Sequence, residues 1–423
     1  MKILIRSVRV IDPNSGFNGK RVDILVESGE ISQIRASIKP EDRYKLIEGE
    51  DLHVSPGWVD MQANFADPGF EHKEDLHSGV LAAANGGFTG VCLMPSTNPP
   101  LYSKSQIQYI IHKSKGALVD IYPFGTVSYK QEGRDLSEMY DMKVAGAVGF
   151  TDDKKSVQDA GLVLRALQYA HNIGSFVAFH CNDISLSGGG QMNEGEQSTR
   201  LGLKGIPALS EELMLERNLS VLAYSGGRMH VPTVSTKKSV ELIREAKLKG
   251  LDVTAGVAVN NLLLDDSVLQ DFDTRYKLDP PLRTREDVES LKKGLLNGTI
   301  DVVVSDHRPE DIESKELEFD LAAFGATGLE TAYSVVQTSV GKKIEIEKIV
   351  EILALNPRKI LRLPVPSIKE GEKANLTIFD PSVSWNVSSK DFYSKSLNSP
   401  FIGLKLNGRA VGIIKGTQSF IVK

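Results

Sequence analysis

Cysteine is scarce in this chain. Its 423 residues include two, Cys92 and Cys181. Each lies in or beside an apolar run, and neither has a second cysteine nearby. A CxxC metal or redox site is therefore excluded, and both read as buried free thiols in a reducing setting. Long hydrophobic runs are missing too. None approaches the roughly 20 residues that a membrane-crossing helix needs. The opening "MKILIRSVRVIDP" is interrupted by Lys2, Arg6 and Arg9, so it offers no signal-peptide core. Long runs of one charge are absent, and the formal net charge is only −5. That argues against nucleic acid or a membrane surface as partner. A cytoplasmic location is the expectation from these absences.

What remains is an ordinary globular composition, 41% hydrophobic and 25% charged. The two ends are alike. "KILIRSVRVI" and "RVDILVESGEISQI" near the start, and "ANLTIFDP" and "IGLKLNGRAVGIIKGTQSFIV" near the finish, alternate as strands do. Residues 1–55 and 365–423 are expected to form one small β domain. Residues 56–364 have another rhythm. Eight short apolar runs alternate with helical segments: "WVDMQANF", "TGVCLMP", "DIYPFGTV", "AVGFTDD", "SFVAFHCND", "RMHVPTV", "DVTAGVAVN" and "DVVVSDH". Segments such as "KKSVELIREAKLKG" and "REDVESLKKGLLNG" supply helices closed by glycine. Apolar strands covered by helices imply a parallel sheet. Eight such units predict an α/β fold of the (β/α)8 TIM-barrel type, with a doubly wound open sheet as the alternative.

Several runs end in polar residues: Gln62 and Asn64, Asp152 and Asp153, His180, Asn260 and Asn261, Asp306 and His307. Strands become hydrophilic as they leave a core, which accounts for any one of these. In a barrel, however, the C-terminal strand ends converge on the face where active sites sit, so the set points to a shared pocket.

The residues then match a known family. "VSPGWVDM", "DPGFEHKEDLHSG", "AAANGGFTGVCLMPSTNPP", "FTDD", "FHCND", "DPPLRTREDVESL", "SDHRPE", "FGATGLET" and "SLNSPFIGLKLNG" resemble the amidohydrolase superfamily. More specifically they resemble bacterial dihydroorotases of the type that pairs with aspartate transcarbamoylase. The likeness runs nearly end to end and implies a barrel with a β domain made from both termini. It also implies the opening or closing of a cyclic amide by a zinc-bound hydroxide.

The site implied by the resemblance is largely replaced. Two zinc ligands of the family come from an HxH pair on the first strand, where i and i+2 share a face. Here those positions hold Gln62 and Asn64, and a further histidine position holds Thr233. Asp153, His180 and Asp306 remain as possible metal ligands, Asp306 also being the family's general acid/base position. The bland readings are a hydrogen-bonded strand-end residue for His180 and a helix cap for Asp306. At the substrate positions stand Ala66 for the carboxylate-gripping arginine, Ser96 and Asp279 for two asparagines, and Glu310 for a histidine. Alanine cannot clamp a carboxylate, and two added acids should repel an anion.

The expectation is a dihydroorotase-like protein of pyrimidine biosynthesis that is catalytically inactive. It needs no cofactor and acts as a structural partner of aspartate transcarbamoylase. A homo-oligomer is expected from the resemblance. The alternative is an active cyclic-amide hydrolase with a single-metal or metal-free site using His180, Asp153, Asp306, His307 and Glu310. A small-molecule sensor in the old pocket is a third reading that no residue singles out.

Overall fold

All eight apolar runs become parallel strands in the computed structural model, which describes residues 2–422. They are Trp58–Ala63, Phe88–Leu93, Asp120–Pro123, Phe150–Thr151, Val177–Ala178, Met229–Val231, Val253–Ala258 and Val302–Val304. The first three form one parallel sheet and the last five another. Two parallel bridges, Gly125 with Phe150 and Ala63 with His307, join these sheets into a ring. The open-sheet alternative is thereby set aside. Asp60 fastens the seam between strands one and eight: its carboxylate accepts the Ser305 N–H at 2.7 Å and the Ser305 hydroxyl at 2.7 Å.

The covering helices follow the sequence logic closely. The helix Lys237–Leu248 starts at Thr236, whose hydroxyl accepts the Ser239 N–H, and it buries Val240, Ile243 and Ala246. That spacing is one face of a 3.6-residue period. Arg285–Leu296 starts with a Thr284–Asp287 capping box and buries Val288, Leu291 and Leu295. Gly250 and Gly298 follow these two helices at φ of +80° and +79°, the left-handed turn that glycine enters most readily. Both cysteines are free and buried, as the sequence leads one to expect.

The two chain ends share one antiparallel-rich sheet. It combines Lys2–Val10, Arg21–Glu27, Glu30–Arg35, Lys45–Ile47 and His53–Pro56 with Asn375–Asn386, Lys405–Lys415 and Gln418–Ile421. Their common core draws Ile3, Ile24 and Val54 from one end and Ile368, Leu376 and Ile414 from the other. Trp58, fully buried, joins this domain to the barrel by packing against Phe88, Tyr333 and Phe379. Residues 387–404 leave the sheet and lie over the barrel. There the Ser394 hydroxyl donates to Glu74, and the Asn398 amide donates to the Gly325 carbonyl at 3.0 Å.

Two buried carboxyls sit at these joints. Burial pushes Asp60 up to about 7 and Glu330, which accepts the Tyr393 N–H, up to about 8. Both folded values exceed the unfolded ones. The native chain thus keeps protons that the unfolded chain has released, and stability falls as pH rises through the folded values. Buried His230, driven down to about 3, acts oppositely, but only below the ordinary histidine range. From about pH 6.5 to 8 the unfolding free energy should drop by on the order of 2 kcal/mol. Glu330→Gln should remove the larger part of that drop. Urea titrations across this range check it, and a flat or rising profile would contradict it.

Candidate functional site at the mouth of the barrel

Strand one delivers Gln62 and Asn64 to the mouth, and each has a fixed structural partner. Gln62 Nε2 donates to Asp306 Oδ1 at 2.6 Å. Asn64 folds back on its own chain: its Oδ1 accepts the Ala66 N–H at 2.7 Å, and its Nδ2 donates to the Ser96 carbonyl at 3.3 Å. This supports a turn in which Ala66 sits at φ +57°, a backbone conformation that an L residue enters at some cost. The Ser96 hydroxyl accepts from Gln131 Nε2 at 3.1 Å.

Strand four separates its two aspartates. Asp152 is a framework group that accepts the Val127 and Ser128 N–H at 2.9 and 3.0 Å; burial pushes it up to about 6. Asp153, at φ +53°, turns into the mouth, where its Oδ2 lies 3.7 Å from the Arg308 guanidinium. The next residue is Lys154. Its ammonium lies 2.9 Å from Asp306 Oδ1 and 3.1 Å from Oδ2, with both side chains under a tenth exposed. Burial pushes the Asp306 carboxyl up, and Lys154 pulls it back only in part. Asp306 caps no helix; the following helix, Ile312–Lys315, is capped by Asp311.

His180 from strand five is a hydrogen-bonded strand-end residue, its Nε2 3.2 Å from Asp279 Oδ1. Burial pushes Asp279 up, but His180, Lys154 and Arg308 outweigh it and hold the carboxyl well below the usual range. The Thr233 hydroxyl is buried with no hydrogen-bond partner among the described residues. His230 bonds Thr254 Oγ1 at 2.8 Å inside the barrel wall.

Glu310 is held from two sides, by the Lys73 ammonium at 2.5 Å and the Arg308 guanidinium at 3.9 Å. His307 lies under this layer, with Nε2 3.5 Å from Glu74 and Nδ1 accepting the Gly328 N–H at 3.3 Å. The repulsion of an anion expected from Asp279 and Glu310 is therefore offset by neighbouring cations. Those cations are in turn engaged and do not form a free clamp. A cleft of about 590 Å³ opens beside this layer, lined among others by Arg275, Glu310, Lys315 and Asn398.

The zinc that the resemblance implies does not fit this arrangement. The ligand positions that the resemblance assigns are spent one by one: Asp306 on Lys154 and Gln62, Asp153 on Arg308, His180 on Asp279. Zinc wants imidazole, thiolate or carboxylate donors converging on one point. Among the described residues, no group of three or more His, Cys, Asp and Glu is placed to hold a metal ion. Sequence reasoning missed Lys154, Arg308 and Lys73. Lysine directly behind a strand-end "DD" was the available signal.

Comparison with known proteins adds kinship. A family model described as dihydro-orotase-like matches residues 52–239. A dihydroorotase of Acetivibrio thermocellus is 42% identical over 409 residues, covering 96% of each chain. A dihydroorotase of Syntrophus aciditrophicus is 40% identical over 415 residues and covers 97% of each. Among solved structures, the L-hydantoinase of Arthrobacter aurescens superimposes with a TM-score of 0.86 at 24% identity, covering 100% of this chain and 96% of the other. That last likeness speaks for the fold alone. Among the described residues, no helix is long and apolar enough to cross a membrane.

Proposed function

Because the chain belongs to the dihydroorotase-like family of cyclic amidohydrolases, we propose that it is a non-catalytic member of that family serving pyrimidine biosynthesis. One observation carries this reading: the Asp306 carboxylate, the family's general acid/base position, is bound on both oxygens by the buried Lys154 ammonium and on one by Gln62. A general base needs a lone pair within reach of the proton it removes. A carboxylate already neutralised by a fixed ammonium is poorly suited to that task.

The substrate positions agree. Ala66 offers no guanidinium, and Glu310 is spent on Lys73 and Arg308. The barrel and the β domain are meanwhile intact, so what is retained is a surface and a shape. The resemblance makes aspartate transcarbamoylase the proposed partner, with self-association as a homo-oligomer alongside. The purified chain should neither hydrolyse dihydroorotate nor cyclise carbamoyl aspartate above the uncatalysed rate, with an intact relative as positive control. It should co-elute with aspartate transcarbamoylase from the same cells. Turnover comparable to the control would refute the reading of the site; separate elution would refute the partnership.

A second reading has one observation in its favour. His180 Nδ1 is buried with no hydrogen-bond partner among the described residues, so a metal-free hydrolase could use that imidazole. The same turnover assay, extended to other cyclic amides, separates the two.

A further inference from the structure

Three carboxylates crowd the barrel mouth. Asp153, Asp279 and Asp306 are near enough for the first two to act electrostatically on the third. Like charges in a pocket largely closed to water cannot persist without a counter-charge. In this chain the counter-charge is covalently attached. Lys154 reaches both oxygens of Asp306 at 2.9 and 3.1 Å, with 8% of its side chain exposed. Arg308 adds a second cation 3.7 Å from Asp153. A neutral donor braces the same carboxylate. The Gln62 amide is buried with its nitrogen on Asp306, and its carbonyl oxygen has no hydrogen-bond partner among the described residues.

We propose that Lys154 is the resident cation of this pocket, a tethered ammonium that holds the carboxylate cluster together and keeps divalent ions out. The inference rests on the non-catalytic reading above and deepens it. An ammonium carries one charge and donates hydrogen bonds; it cannot lower the pKa of a bound water as zinc does. It also needs no supply of metal, so the pocket is complete as soon as the chain folds. Asp306, His180, Asp279 and Asp153 are spread around the ammonium and its neighbours. With the ammonium gone, Arg308 alone is left to offset the three carboxylates, and rotation of Asp306, Asp279 and His180 into the space vacated by the lysine would bring hard and borderline donors together around a divalent ion.

The test compares the full-length chain with Lys154→Ala and Lys154→Met, using zinc chloride as the probe. After dialysis against zinc and then buffer, the wild-type chain should retain none and show no change in Tm. Lys154→Ala should retain about one zinc per chain, and zinc should raise its Tm by several degrees, because a ligand that binds only the native state stabilises it. Lys154→Met should lower Tm, and adding Asp306→Asn should recover most of the loss. A role for the lysine stem in packing alone would not respond to that second change, and the double variant keeps the test open if Lys154→Met fails to fold. Equal zinc retention by wild type and Lys154→Ala, or no recovery by Asp306→Asn, would overturn the proposal. Dihydroorotate turnover by the wild type would instead overturn the non-catalytic reading, so the two failures can be told apart.

Discussion

Asp306→Asn is expected to destabilise the protein by about 3 kcal/mol, because it strips a buried ammonium of its carboxylate partner. Asparagine is the informative replacement. It keeps the shape, still accepts from Gln62, and tolerates the φ of +48° at this position. Only the charge is lost, and Lys154, with 8% of its side chain in solvent, loses its one directly bonded carboxylate among the described residues. The sign matters more than the size. In a working enzyme, catalytic groups are held at the expense of stability, and neutralising one commonly stabilises the fold. A destabilised Asp306→Asn therefore marks the pair as structural. A stabilised variant in urea unfolding would mark Asp306 as a group still held in a functional site.

Arg283→Met should cost a similar 3–5 kcal/mol, for reasons away from the chemistry. Arg283 closes the "DPPLR" turn and is 2% exposed. Its guanidinium donates to Asn193 Oδ1 at 2.9 Å, the Ile206 carbonyl at 2.7 Å and the Ser235 hydroxyl at 3.1 Å. That ties the turn before the Arg285–Leu296 helix to the loop after strand five and to the end of strand six. Burial pulls the guanidinium down, and the nearby Glu211 carboxylate holds it charged. Methionine fills the volume but leaves buried acceptors without a donor and Glu211 without its counter-charge. Chemical denaturation should show a lower midpoint with little change in slope. A loss under about 1 kcal/mol would mean that water replaces the guanidinium at these acceptors.

The barrel was legible because its signal is repeated. Each of eight apolar runs is ambiguous alone, but their alternation with capped helices is not, and Thr236 and Thr284 open their helices by the local chemistry that their sequence suggests. That Gln62 and Asn64 stand where the resemblance puts a histidine pair was legible too, since the motif around them is readable. The destinations of those side chains were not. Asn64 turns back to the Ala66 N–H, a contact set by a left-handed backbone turn that composition does not announce. Lys154 was hidden for a different reason. A lysine just beyond a strand end ordinarily reads as a solvated surface residue, and only the folded ring brings it to Asp306, 152 positions along the chain. Asp279 and Glu310 were read as bare negative charges. His180 and Lys73, which partner them, come from distant segments, whereas Arg308 stands beside Glu310 in the same loop.

The central claim is that protein cations have taken the place of a metal centre at the barrel mouth. The zinc content of the chain, expressed in zinc-supplemented medium and purified without chelators, tests it most directly. The paired arrangement of Asp306 with Lys154, Asp153 with Arg308 and His180 with Asp279 leads to the expectation of no stoichiometric zinc. One equivalent of tightly held zinc per chain would contradict it.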